Sequence, residues 1–401
     1  MSQRFLVAAT ALRWRSSTWT CVPCQPLIEI VADAFRASVI LRWKVKLETQ
    51  EKWMSGISQH FIPKFLQKGF RGQGNGKIVR CWVYERGGKV RPSNISKNAT
   101  ERHFYAAATE SELDDKITDR EGTVYSPVVD ELRAGRVEGV AHLLPELLAH
   151  FEIRSRHFRS NMHSAVDHIA EHLLRELSDP TVLSALLARH FKPGSPALED
   201  ELSKAGLTYD QFQTALTLNG QTMEQALKPV IERFATMIPT LAAGLRQGMP
   251  DVIKKSHVRV LSESISPAAR LRRFQHLHYS VQPFEPGNLP LGDSIVLFHV
   301  KGDRQYKPYL DKDDELVDVI LPLASHQYLI GRVDVKLPVI QRDLPEQIAR
   351  CSLESFIASA NDERLRALQL QLGANAGWLT PTEMQCVLND LMTTLLLEAR
   401  S

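Results

Sequence analysis

Apolar residues recur at three- and four-residue spacing through the middle of the chain and alternate with polar ones in two flanking regions. Before the middle, Pro63 opens a short helix whose apolar face is Phe65, Leu66 and Phe70. Ile78–Tyr84 alternates, Gly87-Gly88 turns, and Lys89–Arg91 starts a return strand, which predicts a hairpin. The helical period begins near Ser126 and covers Val128–Leu132, Leu143–Phe151, Ala165–Leu177, Val182–Phe191, Leu207–Leu216 and Met223–Leu245. Asp179-Pro180 reads as an N-cap followed by a first-turn proline. Strand patterns return at Ser294–Val300, Leu316–Leu321 and Gln327–Val333. The chain then predicts two terminal helices, Pro345–Gln371 and a second opened by the capping box Thr380-Pro-Thr-Glu383. This order predicts an α+β fold, predominantly helical. It has a small N-terminal hairpin, a central helical body, short C-terminal strands and terminal helices.

Charge divides the chain more sharply than pattern does. Residues 1–53 hold eight Lys/Arg against four Asp/Glu, which leaves 41 against 42 for the rest. The basic character therefore belongs to the first 53 residues, and the balance of the body calls for neither nucleic acid nor an anionic membrane. The same segment carries four of the six tryptophans and keeps no period for long. It is read as an extension upstream of a true start at Met54, ahead of an Arg- and Ser-rich targeting sequence or a secretory signal. Residues 54–401 are read as one domain. No run of eighteen apolar residues occurs, so no membrane helix is expected. Five scattered cysteines suit a reducing compartment, and a cytoplasmic location is the expectation. Cys21-Val-Pro-Cys24 lacks the strand-to-helix context of a redox motif and the second ligand pair of a zinc site.

The opening Gln59-His60-Phe-Ile-Pro63-Lys-Phe65-Leu66-Gln-Lys-Gly-Phe70 resembles the signature of the family catalogued as domain of unknown function 4238. The hairpin, Arg102-His-Phe104-Tyr105, and Glu146–Arg159 with its spaced arginines are similar to that family's next blocks. Gly292-Asp293-Ser294-Ile295-Val296 keeps the Asp of a Ser-Asp-Asn-Pro-Val block but not its Asn or Pro. Leu321-Pro322-Leu323-Ala324-Ser325 lacks the last proline of a Pro-Leu-Ser-Pro block, and Asn361 falls where a late helix has Asn. The resemblance covers residues 57 to about 370. It implies a frame of motifs and no particular chemistry.

Candidate chemistry centres on polar residues inside these apolar blocks. His60, beside Gln59, has the residue type of a general base or metal ligand, or of a histidine satisfying a helix start. Asp293 at a strand mouth could orient a histidine, or be a turn residue after glycine. Arg154, Arg156 and Arg159 suit phosphate, or ion pairs with Glu146 or Glu152 on a solvated helix face. His168-Ile-Ala-Glu171-His172 spells an inverted zinc-peptidase motif, but the apolar stripe places both histidines on the opposite, solvated face, and no third ligand is evident. No metal site is assigned and no cofactor is indicated. Arg71-Gly-Gln-Gly-Asn-Gly-Lys77 lacks the strand and Ser/Thr of a phosphate loop. Arg246–Tyr279 carries seven Lys/Arg against two Asp/Glu. This reads as a nucleic-acid patch or as a solvated face balanced by Asp311–Glu315.

Two functional classes fit. The first is a phosphodiester- or nucleotide-processing enzyme, with His60 and Asp293 catalytic and Gln59, Arg154 and Arg156 binding substrate. The second is a non-catalytic protein-interaction module. The first expects His60, Asp293 and an arginine to converge. A separation beyond about 15 Å exceeds any direct hydrogen-bond relay.

Overall fold

Pro63 sets the geometry of the opening, because its fixed φ of −56° makes it the residue just ahead of a helix. A computed structural model of the chain describes residues 58–72, 80–102, 104, 112–184, 206–285, 287–336 and 343–380. It also describes short stretches between 194 and 203 and between 382 and 389. Residues 1–53, Met54, most of the Arg71–Lys77 loop and Tyr105 lie outside the described residues. The described residues belong to two units. One spans Gln50–Asn161 and Lys254–Trp378; the other spans Met162–Ile253 and the stretch from Leu379.

In the first unit, strand β1 (Ser58–His60) precedes helix α1 (Lys64–Gln67). The hairpin forms as expected from β2 (Arg80–Glu85) and β3 (Arg91–Asn94), paired antiparallel, with Gly87 at φ +65° in its turn. β4 (Thr100–Arg102) returns to pair with β1, placing Gln59 opposite Glu101 and His60 opposite Thr100. Helical structure begins earlier than the periodicity indicates, with α2 (Glu112–Arg120). A π-helical turn, Glu121–Tyr125, joins α2 to α3 (Ser126–Arg133). Glu-Gly-Thr-Val-Tyr has no three- or four-residue apolar spacing, which is why the pattern missed it.

The arginine-bearing stretch is two helices, not one. α4 (Leu144–Arg154) stops at Ser155, which is extended (φ −68°, ψ 149°), and α5 (Arg156–Leu177) starts anew. The Ser155 hydroxyl accepts from the Phe158 N–H at 3.1 Å, so a serine inside a helical pattern acts as an N-cap. α5 continues into the second unit, where α6 (Tyr209–Leu218) is opened by the Thr208/Gln211 capping box. α7 (Met223–Glu263) then leads back to the first unit. Asp179 caps the turn at Pro180 by accepting from the Thr181 N–H at 2.7 Å. The Thr380/Glu383 box forms reciprocally, at 2.6 and 3.2 Å.

After α8 (Ala268–Phe274), strands β5 (His278–Pro283), β6 (Leu291–Gly292), β7 (Leu297–Val300), β8 (Tyr306–Lys307), β9 (Leu316–Ala324) and β10 (Gln327–Arg332) follow. The five-stranded sheet has the order β5-β10-β9-β7-β8. Its register lines up Tyr306, His299, Asp318, Arg332 and His278 in one cross-strand row. The expected terminal helix Pro345–Gln371 is corrected. It is α9 (Leu344–Cys351), strand β11 (Ser355–Ala358) and α10 (Glu363–Gln369). Ser-Phe-Ile-Ala becomes a strand because it fills the gap between β2 and β6 in a four-stranded sheet, β3-β2-β11-β6. Tertiary pairing over a long loop overrides a local pattern.

α9 serves both sheets. Leu344, Ile348 and Cys351 pack with Leu297, Ile320, Tyr328 and Ile330 of the five-stranded sheet. Ala349 packs with Tyr84, Phe356 and Ala358 of the four-stranded one. Among the described residues, about half are helical and 18 % are in strands, in small antiparallel sheets, which is the expected α+β class. Among the described residues, no helix is long and apolar enough to cross a membrane.

Candidate functional site

The sequence blocks that stand far apart in the chain pack together in the first unit. Gly69 lies so close to Leu323 that a Cβ there would sit 2.1 Å from its carbonyl oxygen, and the Ser325 N–H donates to Gly69 at 3.1 Å. Arg133 binds the carbonyls of Phe65, Leu66 and Leu323 at about the same distance, tying the opening motif to the later Leu-Pro-Leu block. Gln67, fully buried beneath His60, donates to the Ile62 carbonyl at 2.7 Å and accepts from Asn98 at 3.1 Å.

His60 is held from two sides. The Arg154 guanidinium donates to its backbone carbonyl, and its Nδ1 lies 3.5 Å from the Gln67 amide. The imidazole is partly buried, and burial, with help from the cations Lys64 and Arg154, pushes its pKa down to about 4. At neutral pH it is an uncharged base.

The break at Ser155 sends the flanking arginines different ways. Arg154 closes α4 facing inward, 2 % exposed, and pairs with Glu121, the first residue of the π turn. His150, one turn earlier on α4, is fully buried. Its Nε2 lies 3.4 Å from Glu121 and its Nδ1 3.1 Å from the Ile265 carbonyl. Burial lowers the His150 pKa to about 4. Arg156 opens α5 facing outward, its side chain 47 % exposed over the Phe61 ring and 3.8 Å from Glu101. Arg159 reaches the same Glu101 at 3.0 Å, so positions 156 and 159 share a face as expected. The expected acidic partners are corrected: Glu146 pairs with Arg120 and Glu152 lies 3.5 Å from Arg270, while the three arginines use Glu121 and Glu101.

Asp293 has a different environment. It is buried just after β6, its Oδ1 accepting from the Leu353 N–H at 2.9 Å and its Oδ2 from Glu354 and Ser355 at 2.7 and 3.0 Å. Burial pushes its pKa up, against the three amides and the field of Arg156. Those contacts fasten the start of β11. Gln59 is buried in β1, with Glu101 as its cross-strand partner. Thus Arg154 reaches His60 directly, and Arg156 covers the neighbouring Phe61 and acts electrostatically on Asp293.

The other sequence candidates resolve differently. The expectation that both histidines of His168–His172 face solvent is corrected, because His168 is exposed and His172 is 7 % exposed. His168 Nδ1 lies 2.7 Å from the Ser164 carbonyl and His172 Nδ1 accepts from Arg175 at 2.6 Å, so the two rings serve separate local bonds. Arg270 and Arg273 of the basic stretch donate to the carbonyls of Leu310, Asp311 and Asp314, while His257 and Phe274 are fully buried. The balancing role of the Asp311–Glu315 segment is therefore met largely through its backbone.

Sequence reasoning missed Glu121, Glu101 and His150. Their charged partners lie 29 to 58 positions away, beyond any local spacing rule. Compared with family models, curated proteins and solved structures, the chain matches none.

Proposed function

We propose that this chain processes a phosphate-bearing substrate, a phosphodiester or nucleotide, with His60 accepting a proton and Arg156 meeting the phosphate. The observation that carries this reading is the setting of His60. It is a partly exposed imidazole kept neutral by burial and by Lys64 and Arg154, and the next residue, Phe61, lies under the half-exposed Arg156. Neutral imidazole is the form a general base needs, and a guanidinium fork matches phosphate oxygens. Arg154 and Asp293 then act as positioning residues, since their polar atoms engage Glu121, His60 and the β11 amides. The likeness of the opening motif supports membership of the domain of unknown function 4238 family. The test is turnover of DNA, RNA and nucleotides by the full chain with divalent metals. Loss on His60→Gln supports the reading, and absence of turnover by the wild type rejects it.

A second reading, a non-catalytic protein-interaction module, draws support from the same Asp293. A carboxylate bound by three backbone amides serves architecture and leaves little for chemistry. It expects a defined partner in pull-downs that His60→Ala leaves undisturbed.

A further inference from the structure

The five-stranded sheet carries a second imidazole with a more restrained geometry than His60. His299 on β7 faces Asp318 on β9, with Nδ1 2.9 Å from Oδ2. The other oxygen of Asp318 accepts from Arg332 Nε on β10 at 3.3 Å. Tyr306 on β8 stacks on the ring, centroids 4.9 Å apart and planes within 16°. Asp318 and Arg332 side chains are each 9 % exposed, while His299 is 16 % exposed.

These contacts have a chemical consequence. A carboxylate can only accept, so Nδ1 must carry the hydrogen and Nε2 the lone pair. Among the described residues, Nε2 has no hydrogen-bond partner. Arg332 reaches Oδ1 of Asp318, and Oδ2 is left to the Nδ1–H of His299, which orients the imidazole and leaves Nε2 open.

We propose that His299 is the proton acceptor of a second site, acting on a water presented to Nε2. The O–H bond breaks, the proton forms Nε2–H, and the electron pair stays on oxygen. That oxygen attacks an ester carbonyl, the ester C–O bond breaks, and the imidazolium returns its proton to the leaving oxygen. Water and ester become acid and alcohol, and the imidazole is regenerated. Asp318 and Arg332 are positioning residues: they fix the tautomer and the ring without touching the substrate.

The test uses the full chain with p-nitrophenyl acetate at neutral pH. His299→Gln lowers hydrolysis by about a hundredfold, the scale of general base catalysis. Asp318→Asn lowers kcat by about tenfold and leaves KM unchanged, the scale of losing an orienting partner. His168→Gln, at an exposed histidine of α5 outside both proposed sites, has no effect on this hydrolysis, and the proposed phosphate site is read separately by turnover of DNA, RNA and nucleotides, so the two fail independently. Hydrolysis by His299→Gln at the wild-type rate overturns the proposal. Should the variants lose their fold by circular dichroism, the wild type decides. Diethyl pyrocarbonate must modify His299 ahead of the exposed His276 and His278, and slower modification overturns the assignment.

Discussion

Arg154 donates a hydrogen bond to the backbone carbonyl of His60, from 94 positions away in the chain. The link exists because α4 ends at Ser155, which leaves Arg154 on the buried side and Arg156 on the open side. One serine thereby separates a guanidinium that holds the site from one that can meet a ligand.

Removing the inner guanidinium is expected to cost stability. Arg154→Met leaves the Glu121 carboxylate without its buried cation, which costs about 3–5 kcal/mol. Lysine does not rescue it, since the two contacts need a planar fork. Urea unfolding checks this, and a change below about 1 kcal/mol would assign the pair no structural weight.

Arg156→Ala should behave in the opposite way. Its side chain is half-exposed and its ion pair to Glu101 is long, so stability changes by no more than about 0.5 kcal/mol. The effect is expected on substrate instead, as a raised KM for phosphate-bearing compounds. An unchanged KM alongside normal turnover would remove Arg156 from the site.

For Asp293, replacement by alanine orphans three backbone amides that begin β11. Each buried donor left unpaired costs about 1–3 kcal/mol, so the variant unfolds at clearly lower urea concentration. Equal stability with lost activity would instead make Asp293 a reacting group.

Acid should destabilise the fold in a defined window. Burial holds His150 to a pKa of about 4 and His157 and His257 to about 3, each below the ordinary 6.5. The unfolded chain therefore takes up protons first as pH falls. Stability from these groups is full above about 6.5 and is lost as pH falls toward 4 and 3. Each fully buried imidazole accounts for on the order of 3 kcal/mol over its window. Urea midpoints that stay level between pH 7 and 5 would contradict this.

How far the sequence carried is visible in particular residues. The hairpin was legible because Gly87-Gly88 marks its turn and its partners are adjacent in the chain. The capping boxes at Thr208 and Thr380 are three-residue signals made within one turn; only the latter was read from sequence. Strand β11 was not legible, since Ser355–Ala358 is a strand only because β2 and β6 flank it. The site was half legible: His60, Arg154 and Arg156 stand out as polar residues in apolar blocks. Glu121 and Glu101, which decide where those arginines point, carry no local mark.

The most direct measurement is the rate at which full-length wild-type and His60→Gln chains turn over DNA, RNA and nucleotides with divalent metals present. Measurable wild-type turnover is expected, reduced by about 10²–10⁴-fold in a variant that keeps wild-type stability. Equal rates in the two chains, or no turnover by the wild type, would contradict it.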